Sequence, residues 1–200
     1  LGHNCFSWHY RPSVRFMKWL VENAAVGNLY HVYVRCIKDS GLWPGRKLEW
    51  RFDKTLAGTG VLGDLASHMY DITRFVTGEA FDSISADTGI YIKQRQRLDS
   101  QEFADVTTDD WCNALARMKS GTNATYQISR CTTNIGDWIG VELYGSNGTI
   151  SYNYLDGTQT LEICSGEIDA LGKGRHTLTP PARFNANQSQ GFVNIANGVD

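Results

Sequence analysis

The 200-residue sequence contains no hydrophobic run approaching the ~20 residues that a membrane-spanning helix requires. No signal peptide opens the chain, and no run rich in lysine and arginine occurs. The formal net charge of −2 gives no electrostatic footprint for nucleic acid or an anionic membrane. We therefore expect neither kind of partner.

Cysteine is scattered rather than clustered. The five cysteines are an odd number and no C-x-x-C pair occurs, which argues against a disulfide framework and against zinc. No other residue pattern has metal-ligand spacing, and no G-x-S-x-G elbow indicates a serine nucleophile. A reducing, cytoplasmic compartment fits best. The positions are Cys5, Cys36, Cys112, Cys131 and Cys164.

The sequence otherwise has the balance of a folded domain, with 42% hydrophobic and 20% charged residues. It begins at Leu1 without a methionine and stops at Asp200, shortly after the helical-looking segment 192–196. Both ends look cut, so we expect residues 1–200 to be one domain of a longer protein.

The first third of the sequence favours helices. Pro12 opens a predicted helix over residues 12–23, and a strand is predicted over 29–38. A long loop over 39–57 precedes a second predicted helix, 61–77, that ends at Gly78.

From residue 81 onward the pattern changes to strands and turns. Tight-turn sequences separate most of the strands, and consecutive strands joined in this way must be antiparallel. Residues 94–108 and 165–188 are expected to be polar connections. The predicted strands are 81–93, 111–119, 124–132, 138–144, 149–154 and 158–164.

This order predicts an α+β domain, with a mostly antiparallel open sheet of about six or seven strands and helices on one face. The other face would carry alternate side chains, including Tyr126 and Tyr144. If that face is apolar it needs a cover, and a second copy of the same sheet is the simplest one.

The segment from Ala57 to Asp71 carries the strongest chemical signal. A glycine-rich loop leads into the predicted helix, on which Asp64, His68 and Asp71 lie at i, i+4 and i+7 and would share one face. Near a helix N-terminus an imidazole is kept neutral and able to accept a proton, and a nearby carboxylate can orient it. His68 and Asp64 are therefore the candidate catalytic residues.

Simpler interpretations stay open. Asp64 alone would be a carboxylate favoured by the helix dipole, and His68 alone would be a structural histidine. Asp71 either braces the far side of the histidine or is solvated. The loop matches G-x-G-x-x-G, but no buried strand feeds it and no βαβ unit surrounds it, so we expect no dinucleotide site there.

Two residues in the long loop are candidate substrate contacts together with Asp71. Arg51 could anchor a hydroxyl or carboxylate of a substrate, or could simply stack on Trp50 at the surface. His9 belongs to a polar cluster that lies ahead of the first helix and is suited to a domain junction.

Taken together, these segments resemble the C-terminal domain of the Gfo/Idh/MocA oxidoreductases over nearly the whole chain. The specific part runs from Gly60 to Asp71 and is similar to the family's G-x-x-x-D-x-G-x-H-x-x-D, with Ala66 in place of the second glycine. Weaker matches lie at residues 4–15, 26–29, 109–111 and 141–148.

The resemblance implies a two-domain dehydrogenase or reductase acting on a sugar, polyol or related small molecule. His68 would be the acid/base, Asp64 would line its pocket, and an N-terminal Rossmann domain, absent here with its E-K-P lysine, would hold NAD or NADP. This domain would bind substrate and form a homodimer or tetramer through its sheet. Alone it should be inactive and bind no cofactor. The alternative is a non-catalytic dimerisation or binding module with the same fold.

Overall fold

The computed structural model describes residues 6–133, 135–165 and 174–185. The described chain contains four α-helices, which are α1 (Pro12–Glu22), α2 (Lys54–Ala57), α3 (Val61–Asp64) and α4 (Ala66–Thr77). Short 3-10 turns lie at Ser7–Tyr10, Ser40–Leu42, Trp50–Phe52 and Ala182–Phe184. The loop predicted over 39–57 therefore contains three short helical turns.

Ten strands follow the same chain order. They are β1 (Leu29–Lys38), β2 (Phe81–Gly89), β3 (Gln94–Gln96), β4 (Phe103–Asp105), β5 (Trp111–Met118), β6 (Asn123–Ser129), β7 (Asp137–Gly145), β8 (Gly148–Leu155), β9 (Thr158–Ser165) and β10 (Arg175–Thr177). The predicted strand 29–38 is present as β1, and so are all six strands predicted from residue 81 onward. The first of these six is shorter than expected, because β2 ends at Gly89.

The two regions expected to be plain connections also contain strands. Strands β3 and β4 pair as a small antiparallel hairpin within residues 94–108. Strand β10 adds to β9 within 165–188, of which 166–173 and 186–188 lie outside the described residues. Each of these strands is only three residues long, too short for an alternating pattern to be read.

The main sheet has eight strands in the order β10-β9-β8-β7-β1-β6-β5-β2. It is mixed rather than purely antiparallel, because β1 pairs with β6 in parallel. Tight turns fix only consecutive strands as antiparallel, whereas β1 enters from the helical part of the chain. The prediction of an α+β domain with a mostly antiparallel sheet is confirmed, and the predicted count of six or seven strands is too low.

The helix predicted over 61–77 is interrupted. It divides at Leu65 into α3 and α4, and α4 ends where Gly78 adopts a left-handed conformation (φ 72°). The end of the helix was predicted correctly. The break places His68 in the first turn of α4 and leaves Asp64 at the end of the separate helix α3.

Helices α1 and α4 pack against each other and lie on one face of the sheet. Strand β6 turns Ala124, Tyr126 and Ile128 toward them, and all three are buried. The expectation that Tyr126 lies on the uncovered face is wrong. Its ring is only 1% exposed, and its hydroxyl donates to Thr73 Oγ1 of α4 at 3.0 Å.

The opposite face has no helix over it within the described residues and does carry Tyr144, as expected. It carries both polar and apolar side chains. Arg35 on β1 pairs with Glu142 on β7 at 3.2 Å, and Tyr33 donates to Gln127 on β6. Leu115 on β5 lies on the same face and is 65% exposed.

Candidate active site

Asp109 shapes the glycine loop that precedes α3. Its two carboxylate oxygens accept hydrogen bonds from the backbone N–H groups of Gly60 and Leu62, each at 2.7 Å. Its carbonyl oxygen accepts from the N–H of Val61 and would lie 1.9 Å from a Cβ at position 60. The glycine is therefore required by the close approach of a distant segment.

This geometry does not fit a dinucleotide. A phosphate-binding loop offers free backbone N–H groups to the pyrophosphate, and here Asp109 occupies them. The loop also follows helix α2 rather than a buried strand. Gly63 is also closely approached from within the loop itself, since a Cβ there would lie 2.2 Å from the Thr59 hydroxyl.

His68 lies in the first turn of α4 and is half-buried. The ring of Phe6 meets its imidazole edge-on, with the ring centroids 5.2 Å apart. The Nδ1 atom is buried and has no hydrogen-bond partner among the residues that the structure describes. The imidazole is therefore fixed by packing rather than by an internal hydrogen bond.

Asp71 lies one turn further along α4 and pairs with His9, which the sequence analysis placed only in a polar cluster. Its Oδ2 lies 2.6 Å from Nε2 of His9, whose ring stacks on Phe75 at a centroid distance of 4.0 Å. Burial raises the pKa of Asp71, and the neighbouring His9, Arg74 and His68 oppose that rise. This contact ties the segment before α1 to the helix that carries His68.

Three of the five predicted site residues meet in one pocket of about 280 Å³, which we call the Trp50–Arg51 pocket. The Arg51 guanidinium lies 4.4 Å from the centroid of the exposed Trp50 indole, so the predicted stacking is present. Asp64 is exposed at its edge. The lining residues are Trp50, Arg51, Ala57, Thr59, Gly60, Gly63, Asp64 and Arg130. His68 and Asp71 are not among them.

Arg130 is a pocket residue that the sequence analysis missed. Its Nε donates to Asp110 Oδ1 at 2.9 Å, and both side chains are almost fully buried. The other oxygen of Asp110 accepts from the N–H groups of Tyr91 and Ile92. In the sequence, Asp110 was noted only as part of the weaker family match at residues 109–111. Nothing in the sequence linked it to Arg130, twenty positions away.

Other site types have no counterpart among the described residues. No group of three or more histidine, cysteine, aspartate or glutamate side chains within the described ranges could hold a metal ion. No helix in the same ranges is long and apolar enough to cross a membrane. The arrangement instead offers the half-buried imidazole of His68, the contact between Asp71 and His9, and a polar pocket with an aromatic wall, which suits proton transfer and binding of a polar small molecule.

Solved structures with the same architecture are oxidoreductases. Levoglucosan dehydrogenase in complex with NADH and levoglucosan superposes with a TM-score of 0.78 at 28% identity, covering 87% of this chain and 46% of that one. An oxidoreductase domain protein from Kribbella flavida gives 0.83 at 25% identity, covering 98% and 56%.

Similar sequences point the same way. Levoglucosan dehydrogenase of Pseudarthrobacter phenanthrenivorans is 27% identical over 190 residues, covering 88% of this chain and 48% of that protein. Glucose-6-phosphate 3-dehydrogenase of Bacillus subtilis is 25% identical over 149 residues, covering 74% and 41%. The chain thus spans about half the length of these relatives.

The same family is found when the sequence is compared with models of known protein families. Residues 14–151, which run from α1 into β8, match the GFO/IDH/MocA C-terminal domain. The chain therefore belongs to the GFO/IDH/MocA C-terminal domain family.

Proposed function

We propose that this chain is the substrate-binding part of an NAD(P)-dependent dehydrogenase or reductase that acts on a sugar, polyol or related small molecule. The observation that carries the proposal is His68, a half-buried imidazole in the first turn of α4 with no internal hydrogen-bond partner at Nδ1. Two relatives are named as sugar dehydrogenases, and this supports a sugar or a related molecule as the substrate.

His68 is proposed as the general acid/base. Since Nδ1 is enclosed against the protein, the substrate hydroxyl or carbonyl would meet the imidazole at Nε2. The edge-on ring of Phe6 holds the imidazole in place. The nicotinamide cofactor supplies the redox chemistry when it is bound, and this chain supplies the proton transfer.

The Trp50–Arg51 pocket is proposed to bind part of the substrate. The exposed indole offers an apolar surface, and Arg51 and Asp64 offer a donor and an acceptor to hydroxyl groups. Asp71 is kept as a third substrate contact. Its carboxylate would have to leave His9 to reach a substrate, which makes it the least accessible of the predicted contacts.

We further propose that a nucleotide-binding domain outside this chain holds NAD or NADP. In the glycine loop, Asp109 already accepts from the N–H groups of Gly60, Val61 and Leu62, which a pyrophosphate would otherwise use. The isolated chain should therefore be inactive and bind the cofactor weakly or not at all. The proposal includes a cytoplasmic location and a homodimer or tetramer formed through the uncovered sheet face.

A non-catalytic dimerisation or binding module is the second candidate. The break at Leu65, which separates Asp64 from the helix that carries His68, is the observation that favours it. Such a module would keep the sheet and the pocket and would not depend on an imidazole at position 68.

The two functions differ in what His68→Asn does. In a protein that joins this chain to its nucleotide-binding domain, the substitution should lower kcat by roughly 10²–10⁴-fold if His68 is the general acid/base. Rates would be measured with NAD⁺ and NADP⁺ against a panel of neutral sugars and polyols. His31→Asn, on the exposed surface of β1, is the matched control and should leave kcat unchanged at equal oligomeric state, which light scattering measures because His31 lies on the uncovered sheet face. An unaltered rate in His68→Asn would contradict the proposed role.

A further inference from the structure

A second pocket lies beside the Trp50–Arg51 pocket and shares none of its lining residues. It has a volume of about 340 Å³ and opens between the segment 41–46 and the β3–β4 hairpin. We call it the Arg95 pocket. Its size falls at the lower end of the range of about 300–1,000 Å³ typical of small-molecule sites.

Arg95 is the unusual group in its wall, because it is a buried cation without an anion. The residue is 6% exposed, and within the described part of the chain no carboxylate forms an ion pair with it. Its Nη1 and Nη2 donate to the backbone carbonyls of Arg46 and Gly41, and its buried Nε has no partner. A guanidinium has five N–H groups, so several donors remain unused.

The charge balance around Arg95 leaves one positive charge uncompensated. Three guanidinium groups surround the buried ring of Phe52, with Arg95 at 4.1 Å, Arg130 at 4.6 Å and Arg46 at 5.0 Å from its centroid. Asp110 pairs with Arg130, and Glu49 pairs with Arg46. Burial lowers the pKa of Arg95, and repulsion from the Arg130 and Arg46 guanidinium groups adds to that effect, while the Asp110 carboxylate opposes it. Buried charges are ordinarily paired, so an anion would be stabilised here.

The rim of the pocket adds a second requirement on the ligand. Trp43 is 56% exposed and Phe103 is 65% exposed, and both line the opening. Large aromatic rings facing solvent at the entrance to a polar pocket are suited to packing against the apolar face of a ligand. A free inorganic ion would use only the guanidinium, whereas a larger anionic molecule would use the rings as well.

We propose that the Arg95 pocket binds a small anionic molecule, with a carboxylate or phosphate on Arg95 and a sugar-like body between Trp43 and Phe103. A planar guanidinium fork matches both anions, which is why arginine serves here better than lysine would. The site is separate from the proposed catalytic imidazole, and the inference does not depend on redox activity.

The test is titration of the ¹⁵N-labelled 200-residue chain, followed by NMR, with D-glucuronate, glucose 6-phosphate and the neutral body D-glucose. Both anions should shift the amides of residues 41–46 and 94–96 and the Trp43 indole signal, with a Kd at least tenfold below that of glucose. Equal shifts with glucose, or no shift with either anion at tens of millimolar, would overturn the proposal.

Three variants locate the site. Arg95→Lys keeps the charge but loses the fork and should weaken anion binding at least fivefold, and Trp43→Ala should weaken it without touching a buried residue. Arg51→Ala removes the exposed arginine of the other pocket and should leave the Kd unchanged. If Arg51→Ala abolished the shifts while the other two variants kept them, the anion would bind in the Trp50–Arg51 pocket and the assignment would be wrong. Because Trp43 is exposed, its variant keeps the test decisive even if Arg95→Lys does not fold.

Discussion

At the scale of single residues, close approach of the backbone decides what position 60 can hold. Gly60 precedes α3 with φ −95° and ψ −117°. What excludes a side chain is the carbonyl oxygen of Asp109, 1.9 Å from the position of a Cβ. The sequence located this glycine within a motif, but the segment that requires it lies 49 positions away.

Gly60→Ala should therefore destabilise the fold by about 1–3 kcal/mol, the usual range for inserting a methyl group into a tightly packed site. Gly140→Ala is the matched control. Position 140 lies within β7, and a Cβ there would be 3.4 Å or more from its neighbours, so we expect a change within about 0.5 kcal/mol. Urea unfolding followed by circular dichroism measures both. Equal midpoints for the two variants would show that Asp109 gives way at no cost.

At the scale of elements, the prediction worked where a pattern is local. Alternation in β5 and β6 and the left-handed Gly78 after α4 were readable, because each depends on neighbours in the chain. The break at Leu65 was not readable, since the apolar stripe continues through it. The pairing of Asp110 with Arg130 joins the start of β5 to the end of β6, and its partners are set by strand register rather than by sequence spacing.

That buried pair gives an element-scale prediction. Arg130→Met leaves the Asp110 carboxylate buried without its counter-charge and should destabilise the protein by about 3–5 kcal/mol. Adding Asp110→Asn should recover part of the loss, because the uncompensated charge is then gone. Arg175→Met breaks the exposed pair with Glu162, in which Arg175 is 61% exposed, and should leave the denaturant midpoint nearly unchanged. Denaturant midpoints of wild type, the single variants Arg130→Met, Asp110→Asn and Arg175→Met, and the double variant test the prediction, and additive effects of the two buried substitutions would contradict it.

At the scale of the whole molecule, the α+β class was predictable because helices gather early in the chain and strands late. The parallel pair β1–β6 was not, since it joins strands that are distant in sequence. Of the predicted site residues, Trp50, Arg51 and Asp64 share a pocket, whereas His68 and Asp71 are placed by the segment before α1. The spacing of residues in the sequence identified all five candidates. It could not show that they lie in two separate places in the fold.

The core also predicts how the protein responds to alkali. Burial raises the pKa of the Cys36 thiol from 9.0 to about 12, and it raises the pKa of the Tyr126 and Tyr152 hydroxyls as well. Each group stays protonated in the folded state at a pH where it would ionise in the unfolded chain. The unfolded state therefore binds fewer protons, and stability must fall as the pH rises above about 9.

The contribution of the Tyr126 hydroxyl to this loss of stability can be measured separately. Each contributes up to about 1.4 kcal/mol per pH unit between its unfolded and folded pKa values. Tyr126→Phe keeps the ring under α4 and removes the ionisable hydroxyl, so it should be less stable than wild type near pH 7, where the hydrogen bond to Thr73 is lost. The difference should shrink as the pH rises from 9 to 11. Unfolding free energies measured in urea across this range test the argument, and two parallel pH profiles would mean that the Tyr126 hydroxyl ionises as readily in the folded state as in water.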